Sequence, residues 1–202
     1  MTRSPVPAEA ALAVCEMGRF FAARGSVPAT SGNFSVRTGP RMAAITRSGV
    51  DKGELVPGDV LHVDIDSPPP EGASAETALH LRLYRDRSEI QAIVHTHADS
   101  AAVISRLSGD VVLTGWELQK ALCGVASHEA SVTIPVFPND QDVPALSERV
   151  AARLAAMPGA TAYLLAGHGL YTWGRTVTEA KRHAVALEHL FSCELSLRRI
   201  TR

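Results

Sequence analysis

Residues 91–105 read QAIVHTHADSAAVIS, an apolar run that ends in two histidines one residue apart. The segment from Ile90 to Val94 is rich in β-branched residues, the pattern of a buried strand. Side chains alternate along a strand, so His95 and His97 are expected on the same side. Two imidazoles aimed at one point suit a metal ion, because neutral imidazole is a common ligand. A pair alone also occurs as surface or core decoration, so a site needs a third ligand. Just downstream, Asp99 is placed to cap a helix through Leu107.

On the N-terminal side, residues 8–24 carry Leu12, Cys15 and Phe20 at helical spacing, and Gly25 is expected to close that helix. VPATSGNFSVR (27–37) is turn-rich and leads into a strand. MAAITRSG (42–49) and VLHVDID (60–66) read as two more strands with a turn or short helix between them, and SPPPEGAS (67–74) is a loop. Ser74 is expected to cap a helix from about Ala75 to Arg85, with Glu76 in its first turn, where the macrodipole favours an acid. On the C-terminal side, VVLTG (111–115) reads as a short strand, WELQKALCG (116–124) as a short helix and SVTIPVF (131–137) as one strand. VPALSERVAARLAAMPG (143–159) is a helix, TAYLLAGHGLYTWG (161–174) is two strands around a glycine-bracketed corner, and Val177 to Arg199 is a long amphipathic helix. No repeat or linker divides the chain. Residues 1–202 are expected to form one α/β domain with a largely antiparallel or mixed sheet.

Composition narrows the function. The 202 residues suffice for a single sizeable core, and 46% apolar with 20% charged residues is ordinary for a globular protein. A formal charge of -1 gives no reason to expect nucleic acid or an anionic membrane as partner. No apolar run reaches the ~18 residues of a spanning helix. The N-terminal stretch lacks the pattern of a secretory signal, and Cys15, Cys123 and Cys193 are scattered and odd in number. Reduced thiols and a cytoplasmic location are the expectation.

The third histidine is His168, bracketed by Gly167 and Gly169 at the end of an apolar strand, where the backbone can turn sharply and another group can come close. Taken alone it reads better as a hydrogen-bonded core residue. With His95 and His97 it would leave one coordination position open on zinc, the arrangement of a catalytic site. His62, His80, His128, His183 and His189 lack this setting and read as structural or surface residues. ATSGNFS (29–35) and TRSGVDK (46–52) share a hydroxyl residue followed by glycine at a strand edge, where freed backbone N–H groups and serine hydroxyls make anion sites. With Ser74 at a helix start, two such loops could hold a phosphate.

The ordered motifs TSGNFS (30–35), TRSGVDK (46–52), SAETALH (74–80), VHTHADSA (94–101) and GHGLYTWG (167–174) resemble the class II aldolase and adducin-head family, over residues 8 to 199. TGWELQKAL (114–122) and the ending GLYTWGRTVTEAKRHAVALEHLF (169–191) are most similar to its dehydratase branch. The resemblance implies a three-layer α/β/α sandwich with a mainly antiparallel central sheet, and a homotetramer with active sites near subunit interfaces. It implies one zinc per subunit on His95, His97 and His168, and a sugar-phosphate substrate whose phosphate meets Ser31, Gly32, Asn33, Ser48, Gly49 and Ser74, with Lys120 a further substrate-binding candidate. The implied activity is a hydro-lyase. An aldolase or epimerase acting on another sugar phosphate is the alternative, and a non-catalytic adducin-like domain a third reading.

Two glutamates compete for proton transfer. Glu76 stands where the family's aldolases carry their acid/base carboxylate, and Glu117 where the dehydratase branch carries its own. A helix-start acid explains Glu76 without catalysis. A surface ion pair with Lys120, three residues on, explains Glu117. The dehydratase resemblance favours Glu117 as the catalyst, with Glu76 supporting.

Overall fold

The computed structural model describes residues 5–107 and 109–201. Residues 1–4, where the reading of the N-terminal stretch begins, lie outside the described residues. Helix α1 (Ala8–Ala23) is followed by Gly25 at φ +72°. Strands β1 (Asn33–Gly39), β2 (Met42–Thr46) and β3 (Val60–Asp64) form a meander. Helix α2 (Thr77–Asp86), strand β4 (Ala92–Thr96) and helix α3 (Asp99–Leu107) follow. Asp99 stands inside the first turn of α3 rather than ahead of it. Beyond β5 (Val111–Leu113), the expected short helix is a 3-10 helix, Glu117–Ala121. Then come β6 (Val132–Ile134), β7 (Val136–Phe137), α4 (Val143–Ala155), β8 (Ala162–Leu165), β9 (Gly169–Gly174) and α5 (Val177–Ile200). Asp142 caps α4 by accepting from the Ala145 N–H at 3.0 Å, and Thr176 caps α5 through the Glu179 N–H.

The main sheet has seven strands in the order β3-β2-β1-β4-β9-β8-β7. It is mixed. β7 runs parallel to β8, while the other neighbours pair antiparallel. The parallel pair exists because α4 intervenes: two parallel neighbours need a crossover, and this helix supplies it. The expected single strand over 131–137 is split. Pro135 has no N–H to give a ladder, so β6 joins β5 in a separate two-stranded sheet while β7 joins β8.

Alternate residues of each strand face opposite cores. Phe34, Val94, Leu164 and Leu170 face α1, α3 and α5, whereas Ile93, Tyr163, Tyr171 and Trp173 face α2 and α4. The central strands β4 and β9 are therefore buried on both faces, and the polar chemistry is confined to their ends. Among the described residues, no helix is long and apolar enough to cross a membrane.

Candidate metal centre

The three singled-out histidines meet at the junction of β4 and β9. These strands are neighbours in the sheet, with His95 opposite Tyr171 and Thr96 opposite Leu170. His95 is the fourth residue of β4, His97 lies just beyond it, and His168 sits in the turn entering β9. The glycine bracket works as the sequence suggests. Gly167 takes φ +67°, and a Cβ on Gly169 would meet Thr96 O at 2.1 Å, so only glycine lets β9 start this close to the histidine strand.

His97 Nε2 lies 2.9 Å from His95 Nε2 and 3.0 Å from His168 Nε2. Glu76 completes the group. Its carboxylate oxygens lie 2.9 Å from His168 Nε2 and 3.5 Å from His95 Nε2, and the four ligand atoms all fall within 4.8 Å of one another. His95 Nδ1 donates to Leu170 O at 3.0 Å, which leaves Nε2 of the neutral ring as a bare lone pair. The His95 ring is fully buried and stacks on Tyr171 at 3.9 Å between centroids. Asn139 Oδ1 stands 3.0 Å from His168 Nδ1 and orients the third ring in the same way.

Electrostatics point in one direction. Burial, reinforced by His168, pushes His97 down to about 4, and burial lowers His95 well below the usual histidine value although Glu76 opposes it. The rings are held neutral. Burial raises the Glu76 carboxyl, but its histidine surroundings and the hydrogen bond from Asn33 outweigh it, so Glu76 is ionised. Converging imidazole lone pairs beside a carboxylate repel one another unless a cation lies among them, so this donor set fits a divalent metal.

Glu76 corrects the expected helix start. It occupies the N-cap position of α2 with no capping bond from its side chain, and the helix runs from Thr77. Its carboxylate is directed instead to the histidines and to Asn33 Nδ2 at 2.6 Å. Ser74 does not cap the helix through a longer reach; its Oγ accepts the Glu76 N–H at 3.3 Å.

The loops expected to bind phosphate lie side by side. Ser48 N–H donates to Gly72 O at 3.0 Å and Arg47 bridges Ala73, which brings Ser48 and Gly49 beside the Ser74 segment. Ser31 Oγ and Asn33 Oδ1 are buried without a hydrogen-bond partner in the chain, and Gly32 packs against His95 O. Glu117 and Lys120 lie apart from the histidines. They pair with each other on the exposed 3-10 helix, and His128 Nδ1 stands 3.8 Å from Glu117. His80 and His183 are buried with bonds to Ser35 and to Trp173 O, as structural histidines are.

Two groups beside the site escaped the sequence reading. Lys52 is 1% exposed, and Glu188, on α5, accepts from Ser26 Oγ at 2.8 Å and Thr96 Oγ1 at 2.7 Å. Ser26 O in turn accepts the His97 N–H at 2.8 Å, so Glu188 braces the strand end that carries His95 and His97. Apolar neighbours such as Leu187 and Leu190 hint at the burial of Glu188, whereas Lys52, between Asp51 and Gly53, carries no such signal.

The profile of the class II aldolase and adducin N-terminal domain matches residues 12–195. The chain belongs to this family. Among its relatives, a methylthioribulose-1-phosphate dehydratase of Bradyrhizobium sp. is 55% identical over 210 residues, covering 98% of this chain and 97% of the relative. The protein of the same name from Methylococcus capsulatus is 47% identical and covers 93% of each. In structure, this class II aldolase-family chain is similar to an L-fuculose-1-phosphate aldolase of Thermus thermophilus, with a TM-score of 0.80, 31% identity and coverage of 96% of this chain and 97% of the other.

Proposed function

We propose that this protein is a hydro-lyase of methionine salvage, converting 5-methylthioribulose 1-phosphate to 2,3-diketo-5-methylthiopentyl 1-phosphate. The observation that carries the reading is the 55% identity, over almost the whole of both chains, to a protein named for that dehydration. His95, His97 and His168 with Glu76 supply the donor set it needs. Zinc, one per subunit, is the cation proposed, because three imidazoles and a carboxylate suit it and leave room for substrate oxygen. Free thiols at Cys15, Cys123 and Cys193 accord with a cytoplasmic protein.

His95, His97, His168 and Glu76 would hold a divalent ion, which would supply polarisation of the carbon-2 carbonyl and so acidify the carbon-3 proton. Glu76 is engaged with Asn33 and two histidines, which suits a residue that helps hold the ion. Proton transfer asks for a carboxylate free to move, and Glu117 is proposed for it, with Lys120 beside it to steady the charge. Glu117 is exposed in the single chain. A homotetramer with sites near subunit interfaces would give that exposed face a site to serve. Glu117 takes the proton from carbon 3, the carbon-4 hydroxyl leaves as water with a proton delivered to it, and the resulting enol tautomerises to the diketone. Ser31, Gly32, Asn33, Ser48, Gly49 and Ser74 are proposed to hold the phosphate through hydroxyls and N–H groups.

Kinetics of Glu117→Gln test the assignment. The variant should keep its metal, while turnover falls by about 10²–10⁴ as for a lost acid–base group. Glu76→Gln should lose metal affinity first. Full turnover in Glu117→Gln would pass the proton-transfer role to Glu76. The similarity to a sugar-phosphate aldolase favours one second reading, cleavage between carbons 3 and 4. Aldehyde fragments in place of the diketone, with Glu76 the costlier loss, would establish it.

A further inference from the structure

We infer that Lys52 is the counter-charge for the substrate's phosphate, held between the two serine–glycine loops by their own carbonyls. The inference rests on the sugar-phosphate reading above and adds a buried cation to the residues proposed for that pocket. Lys52 is 1% exposed, the most deeply buried charged side chain of the molecule's described residues apart from the histidine group. Its ammonium donates to Thr30 O at 2.9 Å and to Val50 O at 2.6 Å. Thr30 leads into Ser31, Gly32 and Asn33, and Val50 follows Ser48 and Gly49. One side chain thus joins both candidate anion loops and fixes their separation.

Two neutral carbonyls do not balance a buried positive charge. Such charges are paired in folded proteins, because an ammonium removed from water without an anion is strongly disfavoured. None of the ion pairs among the described residues includes Lys52. The carboxylate next to it in sequence, Asp51, accepts from Gly53 N–H at 2.7 Å, and Glu76 is committed to Asn33 and His168. An ammonium has three donors, and two are used. Ser31, which follows Thr30 in the chain, has an Oγ that is buried and unpartnered. A buried cation with a spare donor and no ion-pair partner among the described residues is a half-built ion pair, and a phosphate completes it. The metal centre is within electrostatic reach, since the charge of Lys52 acts on His97 and that of Glu76 on Lys52. A ketose 1-phosphate, with its phosphate one carbon from the carbonyl, spans such neighbouring sites. Lys120, the lysine singled out from sequence, already faces Glu117 in solvent.

The test uses the metal-loaded enzyme with inorganic phosphate as probe. In Lys52→Met, the inhibition constant for phosphate and the KM for the phosphorylated substrate should both rise by roughly 10–100-fold, the loss of one charged hydrogen bond, with the effect concentrated in KM rather than kcat. A lysine acting only as a loop staple would lower kcat or melting temperature without this selective loss of phosphate. Should the variant not fold, the wild type still answers. Lys52, Lys120 and Lys181 are its three lysines, so a spectrum of 13Cε-labelled lysine has three signals. Phosphate should move that of Lys52 and leave that of Lys181 in place. Phosphate that inhibits the wild type yet leaves the Lys52 signal still, or inhibits Lys52→Met equally well, overturns the inference alone. Phosphate that neither inhibits the wild type nor moves any lysine signal overturns the sugar-phosphate reading and the inference together.

Discussion

The Leu170 carbonyl, 3.0 Å from His95 Nδ1, decides what the other ring nitrogen can do. It fixes the proton on Nδ1, so Nε2 faces His97 and Glu76 as an acceptor. The same burial that keeps these rings neutral makes the metal-free fold sensitive to acid. His97 titrates at about 4 in the folded protein against about 6.5 in an unfolded chain, and His95 is shifted in the same direction. Between those values the unfolded chain binds the extra proton, so this contribution is present above about pH 6.5 and is lost as pH falls towards 4. The metal-free protein should therefore melt progressively lower from pH 6.5 to pH 4, and His97→Asn should flatten that slope. Equal slopes in both would refute the account. The histidines themselves were legible as a site because strand alternation and a glycine bracket constrain where they point. Glu76 was not, since its place at a helix start has an adequate explanation in the helix dipole, and only the fold reveals that its carboxylate turns the other way. Lys52 was illegible for a related reason: burial of a lysine is set by loops that meet in space, not by its neighbours in the chain.

Helix α5 does more than cover the sheet. Glu188 reaches from it to Ser26 and Thr96, on either side of His97 in the hydrogen-bond pattern, and no cation pairs with it among the described residues. Burial raises its carboxyl above the ordinary value, with the two hydroxyl donors opposing. The folded state thus holds this proton more tightly than the unfolded chain. Stability from the group is present below the ordinary carboxylate range and is lost as pH rises through the raised value. Removing the charge while keeping a hydrogen-bonding amide should then help most at high pH. In the metal-free protein, the melting temperature of Glu188→Gln relative to wild type should be higher at pH 8 than at pH 5; an unchanged difference would show that the carboxyl does not change its charge between those pH values. At this scale most helices and strands were legible from periodicity and caps. The failure over 131–137 was physical: seven residues of strand-forming composition were read as one element, although Pro135 withdraws a ladder donor and divides them between two sheets.

Across the whole molecule, the candidate centre lies on an already complete scaffold. Apolar clusters cover both faces of β4 and β9, and they do not depend on the histidines. Stripping the metal should leave a cooperative fold of lower stability. An ion present at 1,000 times its dissociation constant adds about 4 kcal/mol, or roughly 8–16 °C in a domain of this size. Calorimetry of metal-free and metal-loaded protein should show a gain of that order, and His168→Ala should melt near the metal-free wild type with or without metal. A variant that kept the full gain would move the third ligand elsewhere. The α/β class was legible from the alternation of strands and helices, but strand order was not, because which strands become neighbours depends on contacts between distant segments. The parallel β7–β8 pair is an instance: its composition resembles that of its antiparallel neighbours, and only the path through α4 sets its direction.

The site's halves are 71 residues apart along the chain, and this has a bearing on its birth. At translation rates of about 5–20 residues per second, His168 leaves the ribosome roughly 4–14 s after His97. Through that interval β9 does not yet exist, and β4 has β1 as its only eventual neighbour already synthesised. The nascent chain then offers Glu76, His95 and His97 on an open strand edge, one imidazole short of the candidate set. Metal loading is thereby deferred until synthesis has passed the glycine corner, and a ribosome stalled just before Gly167 would hold a chain unable to mature.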